Sequence, residues 1–156
     1  MKTRSAGILA YWRDEAGLIE VFLVHPGGPF WKGKDEHAWS IPKGEIAADE
    51  DPLAGAQREF TEETGQSVSG EFVALPPCPT SGGKTILAWA VAADVDATRV
   101  VSNSFELEWP PHSGKTVEFP EVDAGAWFEF DAAKHKIHRG QLPLLDALAE
   151  LLRGRG

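Results

Sequence analysis

The segment from Asp51 to Gly65 constrains this chain more than any other. It opens on an N-cap type residue with proline at the first helical position. It closes on glycine, the residue best suited to the left-handed turn just past a helix C-terminus. The two signals predict a helix over Pro52 to Thr64. Within it Glu59, Glu62 and Glu63 stand at i, i+3 and i+4 and share one face, while Leu53, Ala56 and Phe60 share another, about a quarter-turn away. Such a helix can bury its apolar side against a sheet and turn its carboxylates toward a cleft. Three like charges so close destabilise a helix unless something neutralises them. A hard divalent cation does so naturally, because Mg²⁺ takes oxygen ligands and is commonly held by one or two carboxylates together with substrate phosphates. On spacing alone, a solvated acidic face remains the alternative.

Around this helix the chain reads as strands and loops. Ala6 to Trp12 and Leu18 to Val24 are apolar runs joined by a mostly polar connection ending in Gly17, the pattern of a hairpin. Two prolines and two glycines between Pro26 and Pro29 exclude a helix or central strand and predict a loop to about Ala38. Glu71 to Leu75, Thr85 to Ala92 and Gly125 to Phe130 read as strands, and Asn103 to Lys115 is ambiguous. Apolar residues at 144, 145, 148, 151 and 152 predict a closing amphipathic helix over Leu142 to Leu152. The expectation is one α+β domain covering residues 1–156.

Charge narrows the function classes. With 24 acidic and 15 basic residues the formal net charge is -9, which opposes broad attraction to a nucleic acid polymer or an anionic membrane. A polyanionic small molecule would need cations as intermediaries. The one cysteine, Cys78, leaves no intrachain disulfide and no zinc cluster, and fits a reducing compartment, with the cytoplasm as default. Cys78 has no evident partner base and reads as a packed thiol. The brief apolar run near the N-terminus reads as a strand and not a signal peptide. A symmetric homodimer is the default oligomer on base rates.

The decisive context is the stretch Gly44-Glu45-Ile46-Ala47-Ala48-Asp49-Glu50 followed, after seven residues, by Arg58-Glu59-Phe60-Thr61-Glu62-Glu63-Thr64-Gly65. It resembles the Nudix box, G-x5-E-x7-R-E-U-x-E-E-x-G-U, with every fixed residue at its spacing. Departures fall at the two U positions, which hold the aromatic Phe60 and the polar Gln66, with Val68 available to replace the packing of the latter. The resemblance implies an α/β/α sandwich with a mixed β-sheet. It also implies a metal-dependent pyrophosphohydrolase in which Glu59, Glu62 and Glu63 bind Mg²⁺ or Mn²⁺, joined by the main-chain carbonyl of Lys43 or Gly44. Glu50 and Arg58 are expected to pair and brace the loop against the helix. Relatives often recruit a further acid as metal ligand or general base; Glu121 is the first choice and Glu118 the second, and the base stays unassigned among Glu59, Glu62, Glu63 and Glu121.

The chemistry so implied is attack of water on one phosphorus of a diphosphate bridge. Trp39-Ser40-Ile41-Pro42-Lys43-Gly44 resembles the P-K-G version found in relatives that hydrolyse dinucleoside polyphosphates. A nucleotide of that class is the expected small-molecule partner, ahead of nucleoside triphosphates and ADP-ribose. Trp31 and Trp109, in loop-like segments, are candidates for stacking on a base, whereas Trp39, Trp89 and Trp127 read as core. Lys34, Lys84 and Lys115 are weaker phosphate candidates than Lys43. His135 and His138 at i, i+3 are candidates to face a phosphate, with a surface position the main reading. The alternatives are a catalytically silent nucleotide sensor, which loss of box acids would favour, and an isomerase on the same fold, which would call for a catalytic thiol.

Overall fold

A computed structural model describes residues 3–154. At its centre is β1 (Thr3–Arg13), whose alternation sends Ala6, Ile8 and Ala10 to one face of the sheet and Leu9 to the other. Its length gives it two antiparallel partners on one edge. The C-terminal half pairs with β2 (Ile19–Pro26), Tyr11 opposite Val21, and the N-terminal half with β3 (Lys43–Glu45), Gly7 opposite Lys43. On its other edge runs β6 (Lys84–Ala92), parallel to it from Thr3 opposite Lys84 to Tyr11 opposite Ala92. The short strands β4 (Val73–Ala74) and β5 (Cys78–Pro79) pair with the outer edge of β6, and β9 (Val122–Glu129) pairs antiparallel with β2. The sheet is therefore mixed, as expected.

Both faces of the sheet are covered by helix. Helix α1 (Pro52–Thr64) lays Ala56 and Phe60 on Ile8, Phe22 and Val91; Phe60 is fully buried, its ring 6.2 Å from that of Phe22, a contribution of about 2–3 kcal/mol from area alone. Its ends are those read from the sequence: the Asp51 carboxylate accepts the Ala54 N–H at 3.0 Å, and Gly65 has φ 73°. On the opposite face α3 (Leu142–Arg153) packs Leu144, Leu145, Leu148 and Leu152 against Leu9, Val21 and Leu23. Among the described residues no helix is long and apolar enough to cross a membrane.

Two strand readings need correction, and two open points find their answer. The last strand begins at Val122 and ends at Glu129, and Phe130 opens a short helix, α2 (Phe130–Lys136), that the strand-like run concealed. The ambiguous segment holds β7 (Ser104–Glu108) and a turn, and β7 pairs with β8 (Thr116–Pro120), just beyond it, in a hairpin separate from the main sheet that faces Phe105 with Phe119. Of Glu71 to Leu75 only Val73 and Ala74 form a strand. Gln66 is not a weak packing position: its side-chain amide donates to the Asp96 carbonyl at 2.8 Å and accepts the Asp96 N–H at 3.0 Å, while Val68 packs at the core edge.

Candidate active site

Placing β3 beside the N-terminal half of β1 sets residues 43–45 directly over the C-terminal half of α1. The approach is so close that a β-carbon on Gly44 would lie 2.0 Å from Oε2 of Glu59. Glu59 is buried. Burial raises its pKa, the Glu62 charge adds to the effect, and Arg58 opposes it. Glu63 accepts the Lys43 N–H at 3.2 Å, and burial pushes its carboxyl up to about 8 against that bond and the Lys43 charge. Desolvation is the leading cause for both acids.

Arg58 and Glu50 pair through two hydrogen bonds, Nε to Oε2 at 3.0 Å and Nη2 to Oε1 at 3.1 Å. Glu50 also accepts the Ala47 N–H at 3.3 Å, so the loop is drawn onto the helix. These contacts hold the Glu50 carboxyl below its ordinary range and raise the guanidinium pKa. Spacing did not disclose that Arg58 also donates through Nη1 to Glu59 at 2.9 Å and Glu62 at 3.0 Å.

Glu121 comes from the far end of the chain. Its N–H donates to the Asn103 carbonyl at 2.8 Å and its carbonyl accepts from Gly27 at 2.9 Å. The Asn103 N–H in turn donates to the Glu62 carbonyl at 2.9 Å. These bonds tie the base of the hairpin to the last turn of α1. Glu121 and Glu63 line one cavity of about 230 Å³, shared with Trp31, Trp39, Lys43 and His138 among others. The Glu121 charge adds to the upward pressure on Glu59 and Glu63. Glu118 does not join them: it is exposed on β8 opposite Glu106.

Other candidates sort by position. Trp31 lines the cavity. Trp109 does not; its ring meets Phe30 edge-on at 5.5 Å beside the hairpin. Trp39, read as core, is half-buried and forms part of the cavity wall, with its indole N–H on Asp35 at 2.9 Å. Lys34, Lys115 and His135 lie outside that wall. Cys78 is buried, which pushes its thiol up, and donates to the Gly140 carbonyl.

Two supporting residues escaped the sequence reading. Buried Gln141 accepts the Ile41 N–H at 3.1 Å and donates to Ser40 Oγ at 2.9 Å, fixing the segment that leads to Lys43. His25 lies with Nδ1 2.8 Å from Asp123 and Nε2 2.6 Å from the Lys34 carbonyl, pinning the loop that carries Trp31. A polar residue closing an apolar strand was the only signal for His25.

Among the described residues no three acids, histidines or thiols form a ready cation cage; Arg58 bridges Glu59 and Glu62. The donors nonetheless fit a hard divalent cation. All are oxygens, two are carboxylates whose pKa burial has raised, and the missing side chain at Gly44 lets a main-chain segment approach Glu59.

The family model described as NUDIX domain matches residues 1–148. The chain belongs to the Nudix hydrolase family. Solved structures similar to this Nudix chain include a C. elegans Ap4A hydrolase binary complex, at TM-score 0.65 and 20% identity over 96% of this chain and 98% of that one. The NUDIX domain of Shewanella oneidensis NrtR complexed with ADP ribose aligns at TM-score 0.61 and 14% identity, covering 97% and 89% of the two chains. The C-terminal domain of mouse MUTYH, solved with human PCNA, aligns at TM-score 0.63 and 13% identity, covering 98% and 91%. At these identities the likeness is one of fold. A search of curated proteins finds no significant match.

Proposed function

We propose that this Nudix chain is a divalent-cation-dependent pyrophosphohydrolase that cleaves a diphosphate linkage in a nucleoside-diphosphate-type substrate, with dinucleoside polyphosphates preferred to nucleoside triphosphates and ADP-ribose. One observation carries the reading: Glu63 of the box and Glu121 from the distal loop face a single cavity whose walls also hold Trp31, Trp39 and Lys43. Acids, a cation and aromatic rings are what a nucleotide phosphate needs at one place.

Glu59, Glu62 and Glu63 would hold Mg²⁺ or Mn²⁺, with the main chain at Lys43 or Gly44 adding an oxygen. When bound, such a cation neutralises phosphate charge and lowers the pKa of an attacking water. The chain's own residues do the rest. Arg58 spaces Glu59 and Glu62 and anchors both to Glu50. Lys43 offers its ammonium to the phosphates while its N–H orients Glu63. Glu121 lines the cavity and is a candidate to accept the proton of water. Trp31 and Trp39 offer ring surface to a base. The P-K-G sequence and the fold-level likeness to an Ap4A hydrolase support the substrate order.

The test is product analysis with Mg²⁺ on diadenosine tetraphosphate, ATP and ADP-ribose. Turnover should be greatest with the tetraphosphate and fall by about a hundredfold or more in Glu62→Gln and Glu121→Gln, while Glu118→Gln retains it. Retained nucleotide binding with no turnover of any substrate would favour the sensor reading.

A further inference from the structure

The loop that follows β2 is tied at both ends to one short stretch of chain where β9 begins. At its entry the Gly27 N–H donates to the Glu121 carbonyl at 2.9 Å. At its exit the Lys34 carbonyl meets the His25 ring, whose other nitrogen meets Asp123. In between, the Trp31 N–H donates to the Gly28 carbonyl at 3.3 Å and the Lys34 N–H to the Trp31 carbonyl at 3.0 Å. Trp31 thus reaches the cavity from a loop whose exit rests on His25, a side chain outside the cavity wall. The same ring stands edge-on to Trp39, centroids 5.2 Å apart. One buried histidine therefore supports both indoles that line the cavity.

The partners of that ring fix its protons. A main-chain carbonyl, at 2.6 Å from Nε2, can only accept, and the Asp123 carboxylate, at 2.8 Å from Nδ1, accepts as well. A neutral imidazole has one N–H and one lone pair, so one of the two contacts would set oxygen lone pairs against nitrogen. With a second ring proton both become hydrogen bonds, and the one to Asp123 is charge-assisted. Burial tolerates a charge that is paired and bonded in this way. No other basic group among the described residues lies within ion-pair distance of Asp123. Lys34 turns its ammonium toward the Trp31 ring, 5.5 Å from the centroid, and Lys136 pairs with Asp35. The Asp35 carboxyl is held below its ordinary range by hydrogen bonds from Lys136 and Trp39, and the His25 charge acts in the same direction.

We propose that His25 is a positioning residue, an imidazolium that joins Asp123 to the Lys34 carbonyl and thereby sets where Trp31 and Trp39 stand around the substrate. It touches no reacting atom, so it acts on how tightly substrate is held and not on how fast the linkage breaks. That consequence rests on the hydrolase reading, whereas the two ring protons do not.

Nitrogen NMR of the isotopically labelled full chain in EDTA, near neutral pH, counts the ring protons without any substitution. Both nitrogens of His25 should carry one, and an unprotonated nitrogen would overturn the proposal. In Asp123→Asn the amide can donate to a bare Nδ1, so that nitrogen should lose its proton while KM stays within about twofold of wild type. Asp123→Ala and His25→Ala break the contact outright and should raise KM for diadenosine tetraphosphate by roughly five- to tenfold, with kcat within about twofold. Unchanged KM in both alanine variants, or kcat lowered by as much as KM is raised, would overturn the positioning role. If no substrate turns over, the same ranking in the Kd of diadenosine tetraphosphate, read calorimetrically, would uphold that role and remove the hydrolase reading instead.

Discussion

Replacing Glu63 with Gln should remove a pH dependence that burial has built into the metal-free protein. The Glu63 carboxyl is pushed from an ordinary 4.5 to about 8, chiefly by desolvation. Between those values the folded chain holds a proton that the unfolded chain has lost. The stability this group contributes is therefore fully present below about 4.5 and is lost as the pH rises to about 8. Each pH unit of that interval is worth about 1.4 kcal/mol, or about 5 kcal/mol in all. Glu63 keeps partial contact with water, which brings the expected loss to about 2–3 kcal/mol. Urea denaturation in EDTA from pH 5 to 8 reads it directly. Glutamine does not titrate, so Glu63→Gln should match wild type at pH 5 and exceed it by about 2–3 kcal/mol at pH 8. The upward shift of Glu59 has the same sign and leaves both proteins a shallower common slope. On the proposed ligand set of Glu59, Glu62 and Glu63, saturating Mg²⁺ should reverse the order at pH 8, since only wild type retains all three carboxylates. A stability difference that does not change with pH would show that Glu63 is already ionised in the folded chain, and the reasoning from burial would fail.

Two further sites separate stability from function. Gly44→Ala puts a β-carbon on the movable end of Glu59 and Gly27→Ala puts one on the Pro120 carbonyl, each at 2.0 Å. The first should cost less than about 1 kcal/mol yet reduce turnover at least about tenfold, and the second should cost about 2–3 kcal/mol because backbone must move; thermal melts beside rate measurements check the ranking. His25→Ala removes the clamp on the loop that carries Trp31, so tryptic cleavage at Lys32 and Lys34 should become faster than in wild type, and equal rates would show that the loop is held by other contacts.

Local signals were enough for the helix that carries the acids. Asp51, Pro52 and Gly65 mark its ends through backbone requirements that hold in any fold, and the spacing of Glu59, Glu62 and Glu63 puts them on one face whatever packs behind it. The same holds for α3, whose leucine spacing leaves one buried stripe, and for the alternation of β1 and β2. Where the signal was short or mixed the reading failed. The seven residues from Phe130 to Lys136 form a helix too short to show a helical period, packed against β9, β2 and α3, and the β7–β8 hairpin is largely exposed, without the buried alternation that announces a strand. The site divides along the same line. The box acids are neighbours in sequence, but Glu121 reaches them through hydrogen bonds that link Gly27, Asn103 and the end of α1. Likewise Lys84 and Lys43 line one cavity because β1 takes β6 on one edge and β3 on the other. Sequence by itself determined which helix bears the acids and where it starts and stops, because those are rules of a single backbone. Tertiary structure alone decided which distant residues share a cavity and how far each carboxyl is drawn out of water, because burial belongs to the packed chain.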